Sequence, residues 1–369
     1  MFFGGVAFAL LLFVTEILVA SDSGRSTLKR QSSASESPAT YMSSVENLNT
    51  IAPGSLGHAA IFSLSSESAK TPTTQLVATS KATATTLWPT NLESPIYINP
   101  YPNQPPSTGS FYIQTLSNNQ AQIDGENHGI YANSVGGWGG MVILDYGCQV
   151  GSQTTQLVNF EQVLYADASQ IETLANWYAL GFSYTAPNDP LDLVIGTNNS
   201  CGVSYTYGSG WEQLVETIAQ QVHTVDANIS VLGGSDLETQ WSSGSAAYAW
   251  VQGYAASAGS YQPAMIDYGD MAPGYWTTSQ ELYVSFGAEP SVAAPELYCS
   301  SDIGDWVNGP YSADSYYNFY GVLSYNDQQS SAGCSPNQTN NTSWSQAEYY
   351  SFQLRGRYVA YLTDVQYDI

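Results

Sequence analysis

ISVLGGSDLETQW, residues 229 to 241, decides how the chain is read. It opens as an apolar run and closes on two carboxylates spaced one apart, Asp236 and Glu238, with Trp241 behind them. Alternate side chains of a strand share a face, so Asp236 and Glu238 point one way and Leu237 the other. A run that is apolar on both faces suits a strand covered on both sides, as in a parallel sheet under helices. The two acids at its carboxyl end then converge on one spot.

Working outward, similar runs recur: FYIQT (111 to 115), MVILDY (141 to 146), LDLVIGTN (191 to 198), PAMIDY (263 to 268), VAAPELY (292 to 298), YGVLSY (320 to 325) and VAYLTDVQY (359 to 367). With the opening stretch they make eight. Helix starts of capping-box form separate them: Ser169 with Glu172, Ser209 with Glu212, Thr278 with Glu281, and Ser345 with Glu348. Trp211, Leu214, Val215, Ile218 and Val222 keep a helical period, as do Ala247, Trp250, Val251 and Tyr254 after Ser243. Strand and helix alternate, and no glycine-rich nucleotide fingerprint follows the first strand. The expected fold is therefore α/β, a closed (β/α)8 TIM barrel over residues 96–369, about 270 residues and a usual size for it.

Two further segments precede the barrel. Residues 1–20 are almost wholly apolar, and Leu18-Val19-Ala20 before Ser21 suits cleavage, so they read as a signal peptide or a membrane anchor. Either places the barrel outside the cell, secreted or anchored with its domain extracellular. Residues 21–95 are rich in Ser, Thr and Ala with few large apolar residues, the composition of a disordered linker.

Charge is distributed unevenly. The chain has 31 acidic and 7 basic residues, and five of the basic ones lie within the first 81 positions, where five acids balance them. The net charge of -24 therefore falls on residues 82–369, whose only cations besides histidine are Arg355 and Arg357. Such a surface repels nucleic acid and anionic headgroups. No cofactor motif is present, and no cofactor is expected. Four cysteines follow the second, third, sixth and seventh strands; in an exported protein they pair as Cys148 with Cys201 and Cys299 with Cys334. A zinc site is the weaker alternative, since no CxxC occurs and the histidines are three; no metal is assigned.

Carboxylates collect at the strands' carboxyl ends, the face where barrel enzymes keep their sites. Asp145 ends the second strand, Asp236 and Glu238 the fourth, Asp267 and Asp270 the fifth, Glu296 the sixth, and Asp327 follows the seventh. Crowded and partly buried acids hold their protons to higher pH, and a carboxyl group that donates near working pH is what glycoside cleavage requires. Trp138, Trp241, Tyr268, Trp276 and Tyr298 lie near strand ends, where flat rings with a polar edge stack on sugars. Asn198 and Asn199 either bond a substrate or make a turn.

A D-x-E pair ending the fourth strand of an exported barrel resembles the chitinase-type and muramidase-type glycoside hydrolases. More closely, VILDYG (142 to 147), VIGTNN (194 to 199), GGSDLETQW (233 to 241) and AAYAWVQGY (246 to 254) resemble secreted glycoside-hydrolase-like barrel proteins over roughly residues 111 to 369. The resemblance implies that Glu238 is the proton donor and that Asp236 orients the substrate. Asp267 or Glu296 would supply the second carboxylate, with Asp145, Asn198, Trp241, Tyr268, Trp276 and Tyr298 binding a polysaccharide. The chain departs from the pattern twice: Val231 to Ser235 carry none of the further chitinase-type aspartates, and FYIQT lacks the muramidase-type aspartate. A non-catalytic barrel binding glycans at a cell surface is accordingly the second reading. A calcium-stabilised structural protein using Asp270, Asp302 or Asp305 is the third.

Overall fold

A computed structural model describes residues 105–157, 163–272, 274–287, 291–308, 319–325, 339–353 and 359–367. The expected leader and linker, Asp327 and Cys334 lie outside the described residues. Eight parallel strands form the frame: β1 Ser107–Tyr112, β2 Met141–Gly151, β3 Leu191–Asn198, β4 Ile229–Asp236, β5 Met265–Asp267, β6 Ser291–Ala293, β7 Gly321–Ser324 and β8 Tyr361–Tyr367. They are ordered β6-β5-β4-β3-β2-β1-β8-β7. Between β6 and β7 two isolated parallel bridges, Ala293 with Phe319 and Glu296 with Leu323, bring the ends together. The result is a nearly closed, TIM-like barrel.

The helices are α1 Asn118–Ser134, α2 Ala168–Thr185, α3 Tyr205–Val225, α4 Gly244–Ala256, α5 Thr278–Leu282, α6 Asp302–Asn308 and α7 Asn340–Glu348, with π-helical turns extending α5 and α7. The periodic positions of α3 and α4, from Trp211 to Val222 and from Ala247 to Tyr254, are all buried against the strands, and Ser243 caps α4 as expected. The other caps lie elsewhere. Asp167 with Gln170 and Thr277 with Gln280 form the two capping boxes, while Ser204 and Thr339 cap α3 and α7. A cap must sit where the backbone leaves the extended region, and those residues do; Ser169, Ser209, Thr278 and Ser345 are already inside their helices. The glutamates freed from capping hold loops instead: Glu212 accepts from Gly259 N at 3.1 Å and Glu348 from Val359 N at 2.8 Å.

Strand alternation sorts the core into two shells. Met141, Ile143, Val194, Ile266, Leu323 and Val365 point into the barrel, whereas Val142, Leu144, Leu193, Ile195 and Met265 pack under the helices. β1 starts four residues before the expected FYIQT because its inward residues are hydroxylic, not apolar: Ser110 Oγ lies 2.6 Å from Thr363 Oγ1 across the β1–β8 pair. β6 is shorter than VAAPELY because Pro295 has no N–H to continue the ladder. Its carbonyl still accepts from Leu323 N at 3.0 Å, and Leu297 N donates to Leu323 O at 2.9 Å.

An excursion follows β2. Thr154–Gln156 pairs antiparallel with the end of β2 and with Tyr165–Asp167. At Gly147 the chain turns with φ +76°, and a Cβ there would stand 2.1 Å from Gln156 O, so only glycine fits. The turn places Cys148 beside Cys201, and the two form a disulfide with Cα atoms 5.4 Å apart. This is the first pairing expected from the strand order; the second involves Cys334, outside the described residues. A disulfide fits an oxidising compartment. Among the described residues no helix is long and apolar enough to cross a membrane.

Candidate active site

The barrel mouth is assembled from the last inward positions of successive strands. On β4, Leu232 lies in the inner shell and a Cβ on Gly234 would meet the Tyr268 ring at 2.8 Å, so Asp236, two residues on, shares that inward face. Asp145 follows Ile143 inward on β2 in the same way. Tyr112 ends β1, Tyr298 and Glu296 follow β6, and Tyr325 follows β7. Acids and tyrosines thus ring one opening.

Each carboxylate has its own environment. Asp145 is buried; its Oδ1 accepts from Gly147 N at 2.5 Å and its Oδ2 from the Tyr268 hydroxyl at 2.8 Å. Burial pushes its pKa up to about 7 against the pull of those two donors. Asp236 is 1 % exposed and its Oδ1 has no hydrogen-bond partner. Burial first, then the charges of Glu296, Glu238, Asp145 and Asp267, hold it well above the usual carboxylate range. Glu238 stands half-buried at the rim, raised to about 7 by burial and by Asp270. Glu296 is buried and accepts from the Tyr298 hydroxyl at 2.8 Å; burial and then the Glu238 charge raise it well above its ordinary value. Asp270 reaches about 6 through burial and the neighbouring Asp302 and Asp305.

The backbone of Glu238 is held from the β3 side. Asn199, fully buried, donates from Nδ2 to Glu238 O at 2.8 Å and accepts from Glu238 N at 3.2 Å, while its own N–H donates to Asp236 O. Thr239 ties the next residue to Ala272 O at 3.0 Å. The rim acid therefore projects from a braced turn.

Other expected site residues take different places. Asp267 lies between Ile266 and Tyr268, both inward, and so faces the helix side, where Ser285 donates to its Oδ2 at 2.6 Å. Burial raises it to about 7 despite that bond. Tyr268 is fully buried, its ring accommodated by Gly196 and Gly234 and its hydroxyl spent on Asp145 and on Thr197 O. Trp276 is buried, with its indole N–H on Ser242 O at 2.8 Å, and Asn198 spends its Oδ1 on Ser200 in a turn. Trp138 lies before β2, stacked on Tyr361 at the start of β8, so it belongs to the opposite end of the barrel. Trp241, 42 % exposed, and Tyr298, half-buried beside Tyr325 at 5.2 Å, remain open to a ligand. Tyr112 and Tyr325 belong to the mouth without having been expected there; Tyr325 lies two residues beyond the inward Leu323, whereas Tyr112 follows the inward Ser110, which hides the signal. Asn199, expected as a substrate contact or a turn, instead clamps the Glu238 backbone.

The fold and mouth define a class, a nearly closed α/β barrel with an acid-lined carboxyl end. No family model matches the chain, and no curated protein matches it in sequence. Among the described residues, no three His, Cys, Asp or Glu side chains are grouped to hold a metal ion.

Proposed function

We propose that the chain is a secreted glycoside hydrolase acting on an extracellular polysaccharide. The observation that carries this is the pair Glu238 and Glu296 at one barrel mouth, each with its proton held upward, one on the open rim and one in the wall behind it. Glu238 gives its proton to the glycosidic oxygen as the bond from that oxygen to the anomeric carbon breaks. Glu296, steadied by the Tyr298 hydroxyl, supplies the second carboxylate, either accepting the proton of the attacking water or attacking the anomeric carbon first. Asp236, kept protonated by its burial, lies close to both and orients the reacting sugar. Asp267, turned to Ser285, takes no part.

The test is a screen of the purified protein on chitin, peptidoglycan, and α- and β-glucans at mildly acid pH, with Glu238→Gln and Glu296→Gln beside the parent. Cleavage lost in both variants supports the reading; cleavage retained in both removes it. The exposed Trp241 favours a second reading, a barrel that binds glycans without cutting them. Binding abolished by Trp241→Ala, with no substrate cleaved, would select it.

A further inference from the structure

No lysine or arginine occurs among the described residues, and the two histidines there are engaged elsewhere: His128 bonds Tyr178 and Gly139 O, and His223 lies against Tyr261. Asp145, Asp236, Glu238 and Glu296 at the mouth continue outward into Asp270, Asp302 and Asp305, each raised by a neighbour's charge or by burial. An acidic cluster alone would say little about a ligand. Here two of its oxygens, Asp236 Oδ1 and Asp270 Oδ1, are buried with no hydrogen-bond partner, and Asp236 is 1 % exposed. A buried carboxylate oxygen left without a donor costs free energy that an incoming donor recovers. Once ionised these carboxylates only accept, so a cationic donor supplies both the missing hydrogen bond and the charge that favours the ionised form.

Resting on the glycosidase reading, we propose that the preferred substrate is a glycan whose sugar units carry free protonated amines, such as a deacetylated amino-sugar polymer, one ammonium being received by the mouth carboxylates, Asp236 and Asp270 among them. The sugar rings have the exposed Trp241 and the half-buried Tyr298 to lie against. The charge also serves the chemistry. Burial, with no lysine or arginine among the described residues to offset it, keeps the mouth carboxyls protonated, whereas cleavage needs one of them ionised; an ammonium beside Asp236 favours the ionised form of its neighbours. Glu238 and Glu296 can then differ in protonation, as acid and base require.

The experiment is calorimetric binding of short glucosamine oligomers, their N-acetylated counterparts and spermine to the full chain, in low and high salt, for the parent and for Asp270→Asn and Asp236→Asn. The expected result is binding of the amine oligomers about tenfold or more tighter than the acetylated ones, a gap that narrows in salt and closes in either variant. A circular-dichroism melt shows whether each variant is folded, and Asp270→Asn, nearer the surface, suffices if the buried Asp236→Asn is not. Equal or tighter binding of acetylated oligomers overturns the proposal, and so does spermine binding as well as the amine oligomers, which would mean adsorption to charge alone. Cleavage of acetylated or neutral glycans without amine preference leaves the glycosidase reading standing and removes only this one. Tight, salt-sensitive binding of amine oligomers with no glycan cleaved does the reverse.

Discussion

The side-chain amide of Asn199 occupies both backbone groups of Glu238, donating to its carbonyl at 2.8 Å and accepting from its N–H at 3.2 Å. Asn199 also donates to Ser242 Oγ at 2.8 Å, so one residue from the β3 end fixes the whole turn that carries the rim acid. Asn199→Ala should cost about 1–3 kcal/mol of stability, because buried backbone groups lose their partner. Asn199→Asp keeps the shape and the acceptor but loses the donor, and should lower kcat more than it raises KM. Unchanged kcat in a folded Asn199→Asp protein would show that the clamp serves folding alone.

Glu238→Gln retains size and hydrogen bonding and removes the transferable proton. Hydrolysis of substrates with poor leaving groups should fall by about 10²- to 10⁴-fold while the melting temperature stays close to the parent's. Full rate in this variant would assign the proton transfer to another group.

Stability should be greatest in mild acid. Burial raises Asp145, Asp267, Glu238 and Glu212 to about 7 and Asp270 to about 6 in the folded chain, against roughly 4 when unfolded. Below the unfolded value both states are protonated and the stability is fully present; it is lost as pH rises through the folded values. Asp167, lowered by the Ser169 hydroxyl and the Gln170 N–H, acts oppositely and only at the acid end. Thermal melts should therefore decline between about pH 4 and pH 7 and level off above. Crowding contributes, but burial is the larger cause. A melting temperature that climbs steadily over that interval would contradict this account.

Tyr268→Phe tests the barrel interior. Its hydroxyl donates to Asp145 Oδ2 at 2.8 Å and lies 2.9 Å from Thr197 O, so removal leaves two buried acceptors short of a donor. A loss of about 1–3 kcal/mol is expected in denaturant melts, together with a steeper fall in stability from pH 4 to about 7. A neutral effect would place water or another donor at Asp145.

The Cys148–Cys201 bridge spans 53 residues and pins the β2 excursion to the loop after β3. Replacing both cysteines by serine should cost about 2–4 kcal/mol. Peptide mapping should recover this pair, and a different partner for Cys148 would break the strand order.

Much was legible before folding. Eight apolar runs, the helical periods of α3 and α4, and the Cys148–Cys201 pairing all follow from local chemistry, since burial on both faces demands apolar runs and adjacent loops demand adjacent cysteines. Strand edges and caps were not legible. They depend on which hydroxyl meets the point where the backbone changes region, as at Ser204 and Thr339, and on inward serines and threonines that imitate loop residues, as in β1. The site divided along the same line. Clustering of acids at strand ends could be counted, but the direction of each required the register: a phase difference of one residue turns Asp267 to Ser285 under the helices while Asp145 and Asp236 enter the mouth. Tyr268 likewise became wall instead of platform, because Gly196 and Gly234 on two neighbouring strands open the space its ring fills. Periodicity is a property of one segment, whereas the facing partner of a side chain belongs to another segment far along the chain, and only closure of the barrel brings the two together.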